Sequence, residues 1–252
     1  MRRVLPVIAC HLGLLALALG STPEPGQAQG RRRLTAEAYV GVANFGRFLE
    51  QRLGEELVAI APERKLTAST ALALGLGIGY WPWDNRTNVR FTFTFSPSEF
   101  EFEDDTGNGN DRFDLDDVAD LNVYAWTLEV MRYLFGREEH RVAPYVTAGV
   151  TGAIWSTDDN GRRFPAARIG GGSTSVFRVG GVAGLGLHIW LKRHWAVRLE
   201  LNNFALGNPF HGEDAFRETA GTWTTFDEPT AVRMSRLTLA ATYTFFRRPS
   251  WR

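Results

Sequence analysis

The sequence predicts an all-β fold in which eight antiparallel strands run up and down and close into a barrel. Three observations lead to this fold. Apolar residues recur at every second position in eight segments between about residues 35 and 246, whereas helical periodicity is almost absent after residue 34. The connections alternate between long polar segments and tight turns, as in a meander of antiparallel strands. An even number of strands returns the chain to its starting end, so the sheet can close without exposed edges.

Each predicted strand has one bulky apolar face and one face of small or polar residues. The second strand shows this best, because Leu72, Leu74, Leu76, Ile78 and Tyr80 alternate with alanine and glycine. The apolar faces of the other strands, in chain order, are Ala38, Val40 and Val42; Val89, Phe91, Phe93 and Phe95; Tyr124, Trp126, Leu128 and Val130; Val146, Ala148, Val150 and Ile154; Val179, Ala183, Leu185, Leu187 and Ile189; Val197, Leu199 and Leu201; Leu237, Leu239, Ala241, Tyr243 and Phe245.

The connections differ in length in a regular order. Residues 49–65, 97–120, 157–174 and 205–232 are long, polar and rich in Gly, Asp and Asn, and the segments 81–86, 136–140 and 192–194 are short. We therefore expect all long loops at one end of the barrel and all tight turns at the other.

Alternation leaves open which face is inside. A soluble lipocalin-like ligand-binding barrel would turn its apolar face inward, whereas a membrane barrel turns it toward lipid. The apolar faces carry about 35 bulky side chains, more than the interior of an eight-stranded barrel holds. The strands are roughly 10–14 residues long, compared with about 9–11 for a tilted membrane-spanning strand and about 5–6 for a typical soluble one. Both comparisons favour a transmembrane β-barrel.

Aromatic residues cluster near both ends of the predicted strands. This distribution predicts two aromatic girdles at the membrane interfaces. The turn-end members are Tyr80, Trp81, Trp83, Tyr133, Phe135, Trp190 and Trp195, and the loop-end members are Phe95, Tyr124, Trp155 and Phe204.

The overall composition excludes several classes of protein. The chain has 252 residues with 28 basic and 28 acidic side chains, so no basic field attracts nucleic acid. A hydrophobic fraction of 44% is too high for a disordered chain. The mean hydropathy of −0.19 resembles that of a soluble protein. This average is compatible with strands that present only every second residue to lipid.

The N-terminus has the pattern of a secretory signal peptide. Arg2 and Arg3 precede an apolar stretch over residues 4–19 and a segment of small residues. Cleavage could follow Gly20 or Ala28; we favour the later site, which gives a signal peptide over residues 1–28 and a barrel domain over 29–252. The single cysteine, Cys10, lies in the signal, so the mature chain has no thiol chemistry, disulfide or cysteine metal site.

Two segments resemble a known family. The glycine-rich strand, tight turn and Arg198-Leu199-Glu200 return within residues 176–204 are similar to strands six and seven of the OmpA/OmpX-like family of small outer-membrane β-barrels. The segment 143–146 resembles the fifth strand of that family, and the likeness extends over residues 35–246. It implies a bacterial outer-membrane location, periplasmic termini and four external loops. It also implies contact with the outer-membrane assembly machinery, which reads a C-terminal aromatic, although here Phe246 is followed by residues 247–252.

The inward face carries a set of ionisable side chains. Ionised groups away from bulk water need partners, so we predict a salt-bridge network that plugs the barrel. A narrow gated or water-filled path is the alternative, since eight strands leave little room for a general pore. The predicted members are Glu37, Arg90, Glu129, Arg178, His188, Arg198, Glu200 and Arg236.

No catalytic residue is predicted. Some small outer-membrane barrels modify lipid A, which makes a lipid A-modifying enzyme an alternative. His188, however, lies near the turn end without an inward serine at its strand spacing, and His211 lies in a long loop with acidic neighbours. We interpret His188 as an interior histidine and His211 as a solvated one.

The loop over residues 97–120 is strongly acidic. Part of it matches a calcium loop, but position 12 is Leu115 where a carboxylate is required, so we predict no metal site and a solvated surface loop. The oxygen ligands that a cation would use there are Asp104, Asn108, Asp111, Asp114 and Asp116.

The sequence as a whole favours a non-enzymatic, monomeric outer-membrane barrel with a structural or surface-interaction role. Its expected partners are outer-membrane lipid, lipopolysaccharide and the assembly machinery. No cofactor and no nucleic acid are expected.

Overall fold

The strands of this chain form a closed antiparallel barrel. The computed structural model describes residues 33–53, 64–82, 86–104, 120–135, 140–157, 175–191, 194–209, 224–227 and 229–246. The strands are β1 (Arg33–Phe45), β2 (Leu49–Leu53), β3 (Arg64–Ala68), β4 (Ala71–Trp81), β5 (Thr87–Asp104), β6 (Asp120–Tyr133), β7 (Val142–Thr157), β8 (Ser175–Trp190), β9 (Trp195–Gly207), β10 (Thr224–Asp227) and β11 (Ala231–Phe246). Within these ranges, no helix is long and apolar enough to cross a membrane.

Eight of the strands build the barrel wall. They follow one another as β1, β4, β5, β6, β7, β8, β9 and β11, each antiparallel to its neighbours. The first strand, β1, pairs with β4 on one side and with β11 on the other, and this second pairing closes the barrel. The prediction of an eight-stranded up-and-down barrel is therefore confirmed.

The register sets the tilt of the strands. A path of paired residues that starts at Asn44 and goes once around the wall returns to β1 at Leu34, ten residues away. This displacement is the shear of the barrel, and together with the strand number it fixes the tilt and the radius. The path runs through Ser235, Asn203, Ala183, Ala148, Val130, Val89 and Tyr80.

The loop end contains more sheet than the sequence predicts. The sequence predicts loops over segments 49–65, 97–120 and 205–232, but β2, β10, the outer part of β5 and the start of β3 lie within them. These strands pair in the order β10-β2-β3-β5 and extend the wall beyond the barrel. The strands β2, β3 and β10 have only four or five residues each, which is too short for an alternation to stand out in the sequence.

The apolar faces point outward and the small or polar faces point inward. Leu76 is 64% exposed on the outside, whereas Thr127, on an inward position, is fully buried. The same alternation holds along β1, β4, β9 and β11. This is the reverse of the lipocalin-like alternative, and it gives the barrel a surface suited to lipid.

The predicted aromatic girdles are only partly correct. Tyr80 and Trp195 are exposed on the outer face, as expected, and Phe135, which lies beyond the end of β6, is also exposed. The side chains of Trp81, Tyr133, Trp190, Trp155 and Phe204 are instead buried inside the barrel. Each of these residues lies an even number of positions from the inward-facing residues of its strand, so it has the parity of the inward face. Because side chains alternate between the two faces, this parity directs the side chain inward even near the strand ends.

These inward aromatic residues belong to two apolar clusters that cover the ends of the lumen. The turn-end cluster consists of Trp81, Met131, Tyr133, Ala143, Tyr145, Trp190 and Ala196. The loop-end cluster is larger and includes Phe45, Phe48, Phe100, Leu121, Trp155, Phe204 and Leu206. The charged side chains lie between them.

Candidate functional site: the charged lumen

Five of the predicted lumen residues lie together in one ion network. Glu37 comes from β1, Arg90 from β5, Glu129 from β6, and Arg198 and Glu200 from β9. All five are buried. Arg90 and Glu129 are direct register partners, and Arg198 and Glu200 share a face because they are two residues apart. Four strands thus direct their charges toward the same part of the lumen.

Arg90 contacts all three carboxylates. Its Nε donates a hydrogen bond to Glu129 Oε2 at 2.9 Å, and its Nη2 contacts the same oxygen. The same Nη2 donates to Glu200 Oε1 at 2.7 Å, and Nη1 lies 3.5 Å from Glu37 Oε1. Arg90 is therefore the central cation of the network.

Arg198 binds Glu37 through both terminal nitrogens. Nη1 donates to Oε2 at 2.5 Å and Nη2 donates to Oε1 at 2.7 Å. This is the two-bond geometry that a guanidinium forms with a carboxylate. Arg198 Nε also lies 3.3 Å from Glu200 Oε2. The network therefore crosses the lumen from β9 to β1.

Two neutral side chains complete the surroundings of Glu200. The Tyr145 hydroxyl donates to Glu200 Oε2 at 2.5 Å, and Asn202 Nδ2 donates to Oε1 at 2.6 Å. The Tyr145 ring lies directly over Gly186, where an added Cβ would be 2.4 Å from Cζ of the ring. A larger residue at position 186 would push the phenol away from Glu200. Tyr145 and Asn202 are not among the predicted members of the network, although the inward parity of both positions could have identified them.

Arg236 lies outside this network. Its Nη1 donates to Thr94 Oγ1 at 2.6 Å, and the same hydroxyl is 2.5 Å from the Tyr39 hydroxyl. The guanidinium carbon lies 4.7 Å from the Phe204 ring centre and 5.4 Å from that of Tyr39. Arg236 is thus held by a hydroxyl and two aromatic rings rather than by a described carboxylate.

His188 also lies outside the ion network, at the turn end. Its Nδ1 is 3.0 Å from the Tyr133 hydroxyl, and its ring stacks on Trp190 with centres 3.9 Å apart. These partners place the imidazole inside the barrel, within the turn-end apolar cluster. The other histidine considered for catalysis, His211, lies outside the described residues.

The expectation for Arg178 needs a correction. Arg178 has inward parity but lies near the loop end of β8 rather than beside the other charges. Its Nε donates to the Asn208 carbonyl at 3.0 Å, and its Nη2 is 3.5 Å from the Pro209 carbonyl. Asn208 in turn donates to the Phe48 carbonyl at 2.7 Å. Arg178 therefore stabilises the loop-end rim, because it lies only three residues after the start of β8 at Ser175.

Among the residues that the structure describes, no group of three or more His, Cys, Asp or Glu side chains could hold a metal ion. Of the candidate loop ligands, Asp104 ends β5. Asn108, Asp111, Asp114 and Asp116 lie outside the described residues, as does the expected signal peptide.

Comparison with known proteins concerns the architecture. No protein-family model and no curated protein matches the chain. The crystal structure of the outer membrane protein OprG from Pseudomonas aeruginosa matches with a TM-score of 0.54 and 14% identity, over 86% of this chain and 97% of OprG. The chain has the fold of a small outer-membrane β-barrel.

Two further solved structures match at lower similarity. Neisserial surface protein A has a TM-score of 0.45 and 11% identity, over 85% of this chain and 97% of its own. Ail of Yersinia pestis, in complex with a heparin analogue, has a TM-score of 0.43 and 12% identity, over 85% of this chain and 99% of Ail. At these identities, the comparisons concern the fold and not the activity.

Proposed function

We propose that this protein is a non-enzymatic barrel of the bacterial outer membrane, with a structural or surface-interaction role carried by its long loops. The outward apolar face provides the lipid-contacting surface that such a location requires. The described ends of the chain, Arg33 and Phe246, pair with each other at the turn end. In the proposed orientation this end faces the periplasm and the extended loop end faces outward.

The observation that carries this proposal is the filled lumen. The ion network occupies the section between two apolar clusters, and its five members are buried. Solutes would have to displace both the Arg90 and Arg198 ion pairs and the aromatic side chains at the ends. A closed lumen favours a role at the surface of the barrel over a role in conduction.

Single-channel recording in planar bilayers tests the closed lumen. The full-length protein, checked for folding by its heat-modifiable migration on a gel, should give no steady conductance. Fractionation should recover it with the outer membrane. A steady unitary conductance from folded protein would contradict the proposal and favour the narrow channel.

Lipid analysis tests the non-enzymatic role. Overexpression should leave the mass profile of lipid A unchanged, because His188 lies inside the turn-end cluster and away from the outer leaflet in this orientation. An altered profile that disappears in His188→Ala or His211→Ala would instead establish the lipid A-modifying alternative.

A further inference from the structure

A row of polar side chains lies on the lipid-facing side of the barrel at the loop end. Asn44 on β1, Ser235 on β11 and Asn203 on β9 occupy neighbouring positions in the register. All three are exposed, and all three have the outward parity of their strands. The Ser235 hydroxyl donates a hydrogen bond to Asn203 Oδ1 at 2.8 Å. These three residues form a polar patch on the outer surface.

The polar patch begins where the bulky apolar surface ends. Two residues nearer the turn end, the same three strands carry Val42, Leu237 and Leu201, which are also neighbours in the register and are exposed. The change from apolar to polar side chains on three adjacent strands marks the edge of the hydrocarbon. The polar patch therefore lies where the headgroup region of the loop-end leaflet begins.

An arginine lies next to the polar patch, on the side away from the hydrocarbon. Arg233 is two residues from Ser235 on the same outward face of β11, and it is exposed. Its register partner on β9 is Ala205, and on the other side the Gly46 amide donates to the Arg233 carbonyl at 2.6 Å. Both neighbours are too small to cover the guanidinium. None of the carboxylates that the structure describes forms a salt bridge with Arg233.

We propose that Arg233 and the polar patch bind lipid A, the membrane anchor of lipopolysaccharide, in the leaflet at the loop end. Lipid A carries phosphates on its sugars, and its acyl chains bear amide and hydroxyl groups just below them. A guanidinium matches a phosphate in charge and geometry. The side-chain amides of Asn44 and Asn203 and the Ser235 hydroxyl both donate and accept hydrogen bonds, as the amide and hydroxyl groups of the lipid do.

The order of the groups, with a cation above and amides below, favours lipid A over a glycerophospholipid. Below its phosphate, a glycerophospholipid has ester carbonyls, which accept hydrogen bonds but do not donate them. The side-chain oxygen of Asn44 would then lack a donor, and an unpaired polar group at the edge of hydrocarbon is costly. This inference rests on the proposed function, because that orientation places the loop end in the outer leaflet, where lipopolysaccharide resides.

Native mass spectrometry of the full-length protein released from detergent micelles tests this site. The measurement is the apparent dissociation constant for the first bound lipid, with bisphosphorylated lipid A, dephosphorylated lipid A or phosphatidylglycerol added. Arg233→Gln should weaken binding of bisphosphorylated lipid A by about fivefold, which is the contribution of one arginine near a lipid surface, and should leave binding of the dephosphorylated form unchanged. Asn203→Leu extends the apolar surface; it should weaken binding of both forms of lipid A but not of phosphatidylglycerol.

Arg141→Gln is the matched control, because Arg141 is also exposed but lies at the turn end, directly before β7. It should bind lipid A like the wild type. Heat-modifiable migration verifies that each variant is folded, and Asn203→Ala replaces Asn203→Leu if that variant does not fold.

Three results would overturn the proposed site. They are unchanged affinity of Arg233→Gln for bisphosphorylated lipid A, an equal loss in Arg141→Gln, and an equal loss of phosphatidylglycerol binding in the variant at position 203. These measurements use purified protein, so their failure is distinguishable from a failure of the fractionation and conductance experiments that test the proposed function.

Discussion

Arg198 on β9 and Glu37 on β1 form two parallel hydrogen bonds across the lumen, although 161 residues separate them in the chain. Both groups are buried, so each is the main compensation for the charge of the other. Removing one partner leaves the other charge buried without adequate compensation.

We therefore expect Glu37→Gln to destabilise the barrel strongly. Loss of one partner of a buried pair costs about 3–5 kcal/mol. The measurement is the free energy of unfolding in urea, with the barrel folded in micelles. Glu99→Gln, at an exposed position near the loop end of β5, is the control and should stay within about 0.5 kcal/mol of the wild type. Similar values for the two variants would show that the pair does not stabilise the barrel.

The contact between Tyr145 and Glu200 predicts the effect of a smaller change. Tyr145→Phe keeps the ring over Gly186 but removes the hydrogen bond to the carboxylate. A hydrogen bond to a charged group contributes about 1.5–3 kcal/mol, and we expect a loss in this range. Tyr80→Phe, on the exposed outer face, should have almost no effect in the same unfolding assay. Equal losses would indicate a general effect of removing a phenol.

Gly186 provides a separate prediction for the same site. A Cβ at this position would lie 2.4 Å from Tyr145 Cζ and 2.6 Å from the Leu199 carbonyl oxygen. Overpacking of this kind costs about 1–3 kcal/mol, so Gly186→Ala should lower the free energy of unfolding by that amount. At Gly207 the nearest atom is Arg178 Cδ, at 3.2 Å, and this flexible chain can move. If Gly207→Ala proved as costly as Gly186→Ala, the clash with Tyr145 would not be the cause.

The destabilisation caused by an arginine on the lipid-facing surface should depend on its depth in the bilayer. Leu76 is exposed in the middle of β4, and its replacement by arginine should lower the free energy of unfolding by about 2–4 kcal/mol, as at a bilayer midplane. Leu134 is exposed beside the turn end, and the same replacement there should lower the free energy of unfolding by only about 0–1 kcal/mol. Unfolding measured from lipid vesicles gives both values. If Leu134→Arg were the costlier variant, the placement of the belt would be wrong.

The sequence predicts well which face of a strand each residue occupies, because successive side chains along a strand point to opposite faces. Parity alone placed Glu37, Arg90 and Glu200 inside and Leu76 outside. Parity also points Trp81 inward, yet its place near a turn suggested an interfacial girdle. The direction of the Trp81 side chain, and not its height along the barrel axis, decides what it contacts.

Which inward charges meet could not be predicted from the sequence. Contact depends on height in the barrel, and height depends on a register that displaces β1 by ten residues around the wall, from Asn44 to Leu34. Arg178 has the correct parity, but its place near the loop end of β8 puts it at the rim. The extra strands β2, β3 and β10 were missed because each has only four or five residues, too few for a period of two to stand out in the sequence.

The network of Glu37, Arg90, Glu129, Arg198 and Glu200 has a consequence for assembly. Glu37 belongs to the first strand of the wall and its two-bond partner Arg198 to the seventh, so the pair can form only when β11 joins β1. Until that moment these side chains need water. We expect the closing step to combine strand pairing with dehydration of the lumen. A barrel in which an interior charge lacks its partner should therefore stop before β11 pairs with β1.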